Sequence, residues 1–336
     1  VERIVVVGHS CVDLIPQLPD DPRVEAGAFV DIGPLTMQAG GSVVNTGSAL
    51  IELGVPVRLV TTVGDDDLGA YLRAALAELS GDHVIRVAEG AGTSYSLVLE
   101  HGGTSRTIWH HVGSAAAFTG AEVDPTDAAI MHLGYPTALP GVLTDDAQPL
   151  HALLKRASAA GATRSVDLST LPSSQSSAHW PALLGRLLPA IDVITPSADD
   201  LVSLGWLAER PDRERLAEAA HRLLAHGAAV AMVSDGPRGA YLCTADAPRL
   251  RRGGRALEPL AESWSRHAGW IDAHPVKHVV TTNGAGDTAT AGLLYGILNR
   301  YAPAEAGRSA AALAARRIAG LRLVDPTTGL ASAGTG

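Results

Sequence analysis

The chain has 336 residues and is short of several things. Only two cysteines occur, Cys11 and Cys243, far apart and without the spacing of a metal site. That excludes a disulfide framework and a zinc module, and it suggests buried thiols in a reducing, cytoplasmic setting. Lysine is nearly missing: Lys155 and Lys277 are the only two, so the positive charge is almost all arginine. The formal net charge is −9, which argues against a general nucleic-acid binder, because such proteins need a basic face to replace counterions. Local binding of one nucleotide stays open. No apolar run reaches the ~18 residues that span a bilayer, so no membrane partner is expected. The opening VERIVVVGHS reads as a first strand and not as a signal peptide. Aromatic residues are 4% of the chain.

What is present is a globular pattern, 46% hydrophobic and 18% charged. Apolar runs at 3–8, 57–64, 129–134, 163–168, 192–196 and 229–234 have the look of buried strands. Ala- and Leu-rich segments of helical period lie at 42–53, 67–79, 146–160, 212–226, 287–300 and 304–320. Their alternation predicts an α/β protein of three layers, α/β/α, around a mainly parallel sheet, in one domain over 1–336. Two regions break the alternation. Residues 11–40 carry Pro/Gly punctuation around short strand-like pieces, and TSYSLVLE, HGG, TSRTIWHH (93–111) reads as a β-hairpin. Together, about 11–40 and 92–113, they predict a small β lid over the C-terminal edge of the sheet, where ligands bind.

The stretch TTNGAGDTATAG (281–292) sets Gly284, Ala285 and Gly286 just before a lone carboxylate, Asp287, and a helix. A helix N-terminus offers unpaired N–H groups and the positive end of its dipole, and glycine lets the backbone approach a ligand. This makes an anion site. Asp287 is then either an ordinary helix cap or a base beside that site. An anion hole next to a carboxylate suits phosphoryl transfer to a hydroxyl: the hole holds the phosphoryl oxygens and the carboxylate takes the proton. No GxxxxGK[ST] occurs. The spacing also fits G-x-G-x-x-A, but it comes late in the chain and would press Asp287 toward a pyrophosphate.

These residues resemble the C-terminal signature of the ribokinase-like (PfkB) carbohydrate kinases, whose usual form is D-T-x-G-A-G-D. GHSCVDLI (8–15), AGGSVVNTGSALIELG (39–54), VTTVGDDDLG (60–69), SRTIWHHVGSAAAF (105–118) and VSDGPRGAYL (233–242) resemble further segments of that family, collinear over roughly 3–320. The resemblance implies an ATP-dependent kinase of a neutral sugar or polyol with Mg²⁺ bridging the phosphates. Asp287 would be the general base, and Gly284, Ala285 and Gly286 the anion hole. Asp13, Gly40, Gly41 and Asn45 would hold the sugar; Ser234, Gly236, Gly239 and Asn283 would serve the ATP side. A homodimer through the lid is also implied. Asp13 suits a polyol by its own chemistry, since a carboxylate accepts bonds from two adjacent hydroxyls; as a loop residue it also fits an Asx turn.

The departures narrow the expectation. Thr281 stands where the signature has Asp, and a hydroxyl binds a monovalent cation less well, so K⁺ activation does not carry over. SADD (197–200) stands for N-x-x-E, leaving Asp200 either an outer-sphere Mg²⁺ residue or a helix-start acid. Leu171 replaces an arginine expected for sugar acids, and Ser42 a lysine found with phosphosugars. A nucleoside kinase remains an alternative, with Trp109 as a stacking face. A binding protein that lost turnover is the other, on the strength of Thr281, Ser197 and Leu171. The pair His110 and His111, lacking a third ligand nearby, fits a lid surface or substrate contact better than a metal.

Overall fold

A computed structural model describes residues 2–19, 25–80, 82–101, 105–325 and 329–330. In chain order the strands are β1 (Arg3–Gly8), β2 (Cys11–Pro16), β3 (Leu35–Gly40), β4 (Val57–Gly64), β5 (His83–Ala88), β6 (Tyr95–His101), β7 (Ser105–His111), β8 (Ala128–Gly134), β9 (Thr163–Asp167), β10 (Val193–Ile194), β11 (Val230–Ser234), β12 (Ala240–Thr244) and β13 (Ala268–Ile271). The helices are α1 (Ser42–Glu52), α2 (Asp67–Leu79), α3 (Pro140–Ala159), α4 (Trp180–Leu187), α5 (Ala198–Ser203), α6 (Arg213–Ala225), α7 (Ala247–Arg251), α8 (Ala285–Leu298) and α9 (Pro303–Ile318).

Nine strands form the main sheet in the order β13-β12-β11-β10-β9-β8-β1-β4-β5. Seven run parallel from β11 to β5, as a strand–helix alternation requires. The edge β11-β12-β13 is antiparallel, which the periodicity did not announce. Strand β1 shows why the domain has three layers. Its side chains alternate between faces, so Val5 and Val7 join one buried apolar cluster and Ile4 and Val6 the other. Each cluster is closed by helices, and both would cost their hydrophobic burial if the strand slipped by one residue.

The helical run expected from 146 is irregular at its start. Asp145, Asp146 and Ala147 take positive φ (51°, 57° and 62°), and regular helix follows with Pro149 in its first turn, where a missing N–H costs little.

The segments 11–40 and 92–113 supply a second sheet of four strands, ordered β3-β2-β6-β7. β2 pairs antiparallel with β3 and parallel with β6, and β6 and β7 form the hairpin.

The placement of the site follows from topology. The chain leaves β1 toward β4 and β5 on one side, then returns to lay β8 on the other. Connections therefore diverge at the C-terminal ends of β1 and β8, the switch point where open α/β sheets leave a crevice. His9 and Tyr135 are the residues that follow those two ends.

Candidate active site

Helix α8 begins after Gly284, which is its N-cap with φ +74°. A side chain there would be strained and would press on Asn45 and Arg317. Asp287, in the first turn, is 2% exposed. It is more than a cap, because its oxygens are aimed at other elements. Asn45 Nδ2 donates to its Oδ2 at 3.1 Å and Thr46 Oγ1 to its Oδ1 at 3.1 Å, both from the start of α1. The Tyr135 hydroxyl donates to Oδ2 at 2.7 Å. Burial raises the pKa of Asp287 above the ordinary carboxylate value, and the bonds from Tyr135, Asn45 and Thr46 oppose that rise. Burial, then the charge of Asp287, push the Tyr135 phenol well up, so it stays a donor.

Asp13 lies on β2, buried, and reaches the same loop from the second sheet. Asn283 Nδ2 donates to its Oδ2 at 2.9 Å, and the Cys11 thiol lies 3.4 Å from its Oδ1. The residue after Asn283 is the cap of α8, so Asp13 and Asp287 are joined through one short loop. Gly40 opposes this carboxylate closely: a Cβ there would sit 2.4 Å from Asp13 Oδ2. Gly41 caps α1 with φ +83°, and from there Asn45 and Thr46 turn toward Asp287. Asn283, which the resemblance put on the ATP side, thus has its amide on Asp13.

Thr281 Oγ1 accepts from the Asn283 N–H at 3.0 Å, bracing the turn before Gly284. The N–H groups of Val280 and Thr281 both meet the Ile318 carbonyl at the end of α9. Arg317 Nε donates to the Asn283 carbonyl at 3.2 Å, so a cation flanks the glycine loop.

Ser234 ends β11 and bridges to Ser197. Gly236 and Gly239 shape the following turn with φ +55° and +95°. At Gly239 a side chain would strike the Ile271 carbonyl at 2.1 Å. Beside this turn a depression of about 370 Å³ is lined by His267, Trp270, Asp272, His274 and Arg308. Trp264 is fully buried and donates to the Tyr301 carbonyl at 2.9 Å, so it belongs to the core.

Asp200 closes a capping box at the start of α5: Ser197 N–H and Oγ–H both donate to its Oδ2, at 2.8 and 2.7 Å. Burial lifts its pKa to about 6, with the Ser197 bonds opposing. Asp167, ending β9, is held well above the usual range by burial and then by Asp287 and Asp200. These are neighbouring carboxylates of like charge. Among the described residues no three such side chains stand close enough to ligate a metal directly.

Asp13, Asn45, Gly40, Gly41, Asn283 and the loop 284–287 thus converge, while Ser234, Gly236 and Gly239 form a separate end near Ser197. Thr46, Tyr135, Asp167 and His9 complete the site without being legible in the sequence. Tyr135 and His9 carried one signal, since each directly follows a buried strand. Trp109, offered as a base-stacking face, is 51% exposed and lies on the strand face opposite His110.

A buried acid at the glycine-opened start of α8, linked through the Asn283 loop to the buried Asp13 of the second sheet, is an arrangement that suits phosphoryl transfer to a hydroxyl. The chain belongs to the pfkB family carbohydrate kinases, whose sequence pattern matches residues 1–320. It is an ATP-dependent carbohydrate kinase by class. It is similar to a fructokinase of Rhizobium leguminosarum bv. trifolii, 26% identical over 296 residues, covering 87% of this chain and 78% of the relative. The fold matches the Arabidopsis thaliana ribokinase complexed with ribose and ATP at a TM-score of 0.71 and 20% identity, covering 94% of this chain and 92% of that one. It also matches the Burkholderia thailandensis nucleoside kinase in complex with inosine, TM-score 0.65 and 20% identity, over 94% and 91%. No helix of the described residues is long and apolar enough to cross a membrane.

Proposed function

We propose that the protein transfers the γ-phosphoryl group of ATP to a primary hydroxyl of a neutral sugar or related polyol, with Asp287 as general base. The observation that carries this is the position of Asp287: buried, at the start of α8, on the loop whose Asn283 holds Asp13. In the reaction the acceptor oxygen forms a bond to the γ-phosphorus as the bond to the β-phosphate oxygen breaks. The acceptor's proton passes to Asp287, and ADP leaves with the bridging oxygen. The N–H groups of Ala285 and Gly286 hold the migrating phosphoryl oxygens, and Arg317 beside the loop adds positive charge. Asp13 and Asn45 orient the acceptor. Ser234, Gly236 and Gly239 line the nucleotide end.

Magnesium suits a site where the charges of Asp287 and Asp200 add to burial in raising the pKa of Asp167, and that of Asp287 adds to the rise at Asp200, since a divalent cation offsets that repulsion. It would take most of its ligands from ATP and water, with Asp200 and Asp167 in its outer sphere, and would neutralise phosphate charge. The second sheet acts as the lid that excludes water as a competing acceptor. Its exposed Leu35, Met37 and Trp109, on the face away from His110, suit a dimer through the lid, which sedimentation would detect. Two buried free thiols suit a cytoplasmic setting.

The sugar reading is preferred to the nucleoside one because Trp109 faces outward. It is preferred to a binding protein because Thr281 and Ser197 have local bracing roles that explain their departures. ADP release assayed against a panel of sugars and nucleosides tests it. Turnover with a neutral sugar is expected; release only with nucleosides, or with no acceptor, would overturn it.

A further inference from the structure

Between the two sheets lies a polar cluster that the transfer chemistry leaves unused. His9 follows β1, is 4% exposed, and neither ring nitrogen has a hydrogen-bond partner among the described residues. His110 meets it from β7, edge to face, with ring centroids 5.1 Å apart. Nδ1 of His110 lies 3.1 Å from Ser96 Oγ, while Nε2 is buried with no hydrogen-bond partner among the described residues. Buried polar atoms in folded proteins are nearly always paired, because desolvating them alone is costly. Three imidazole nitrogens on two touching rings, without partners among the described residues, therefore point to a ligand that pairs them.

The cluster sits at the acceptor end. Gly41 is so close that a Cβ on it would lie 2.8 Å from His9 Nδ1. The ring of Tyr135, whose hydroxyl holds Asp287, is 6.1 Å from that of His9. Ser96 stands opposite Asp13 in the β2–β6 register, and Asp13 acts on His110 through its charge.

We propose that His9 and His110 form a hydroxyl-recognition subsite, selecting an uncharged, polyhydroxylated acceptor and reading its hydroxyls from both sheets at once. This rests on the phosphoryl-transfer reading and names how that site chooses its substrate. A neutral imidazole has one N–H donor and one lone pair, the same complement a hydroxyl offers, so two such rings match neighbouring hydroxyls. Burial keeps the rings neutral: it pushes His9 down to about 3, with His110 adding to the effect, and it lowers His110 despite Asp13. Neutral rings cannot offset an anionic acceptor, and Asp13 and Asp287 repel one. Because His110 comes from the second sheet, an acceptor that bonds both rings also holds that sheet over the first.

The test uses His110→Phe and His9→Phe, which keep a ring and remove the nitrogens, with an acceptor the wild type phosphorylates and its monodeoxy analogues. Each variant should raise the acceptor KM by about tenfold or more while kcat changes by less than about threefold. The wild type should reject the analogue lacking the bound hydroxyl, and the variant missing the nitrogen that paired that hydroxyl should treat it like the parent. Overturning results are an unchanged acceptor KM in both variants, deoxy analogues rejected as strongly as before, or better turnover of a phosphorylated or carboxylated acceptor than of its neutral parent. If the buried His9 variant does not fold, His110→Phe, on a half-exposed strand, decides alone. If the wild type turns over nothing, the kinase reading has failed, and calorimetric titration of the same panel judges the subsite. A neutral polyol bound about tenfold more weakly by His110→Phe supports it; no polyol bound by the wild type overturns it.

Discussion

Tyr135 donates a 2.7 Å hydrogen bond to Oδ2 of Asp287, the same oxygen that accepts from Asn45. It does so from a left-handed backbone conformation, φ 59°, at the end of β8. A side-chain-bearing residue adopts that conformation at a cost, and its N–H bond to the Asp167 carbonyl at 3.0 Å helps hold it there. The result is a carboxylate kept out of water yet bonded by three donors. Those donors favour its charged form, which burial disfavours.

The first prediction concerns acid sensitivity. As the proposed general base, Asp287 would act only when ionised, so its pKa would set the low-pH limb of kcat/KM. In Tyr135→Phe one opposing bond is gone, burial acts less opposed, and the pKa moves further up. The low-pH limb should shift to higher pH than in the wild type. A pH profile with an unmoved limb would mean that the tyrosine does not bear on this charge.

Asp287→Asn preserves shape and removes the proposed base. Turnover should fall by about 100-fold or more, the lower end of general-base effects, while ATP still binds by calorimetry. Retained turnover would remove Asp287 from the mechanism.

Asp13→Ala and Gly40→Ala should act on the acceptor and spare ATP. The first removes a charged hydrogen-bond acceptor, worth roughly 1.5–3 kcal/mol, so the acceptor KM should rise about 10- to 100-fold. The second forces the Asp13 carboxylate away from a Cβ placed 2.4 Å from it, and a smaller rise in the same constant is expected. A rise in the KM for ATP alone, in either variant, would contradict the division of the site.

Away from the site, Asp192 is buried between two guanidinium groups. Arg164 Nε donates to it at 2.6 Å and Arg249 at 3.0 Å. Asp192→Ala leaves both cations without their partner and should destabilise the fold by about 3–5 kcal/mol. Thermal unfolding should occur at a lower Tm, while kcat/KM of the folded protein stays as it was. An unchanged Tm would mean that water replaces the carboxylate without penalty.

Much of this molecule is written locally. The period-2 and period-3.6 runs are complete within about ten residues each, so the parallel strands and their helices were readable before any coordinates. The glycines before Asp287 were readable for the same reason, since a backbone that must turn needs glycine whatever surrounds it. The antiparallel edge at β12 and β13 was not, because a short apolar strand says nothing about the direction of its neighbour. Nor did any local pattern mark Thr46, and Tyr135 and His9 were marked only by following a buried strand. Thr46 and Asp287 are 241 positions apart, and their bond exists only because α1 and α8 start at the same end of the sheet. The sequence by itself determined the layers and the turn that presents an acid. Which donors surround that acid, and that Asn283 serves Asp13, was decided by packing, because side chains distant in the chain meet only where the folded backbone brings them together.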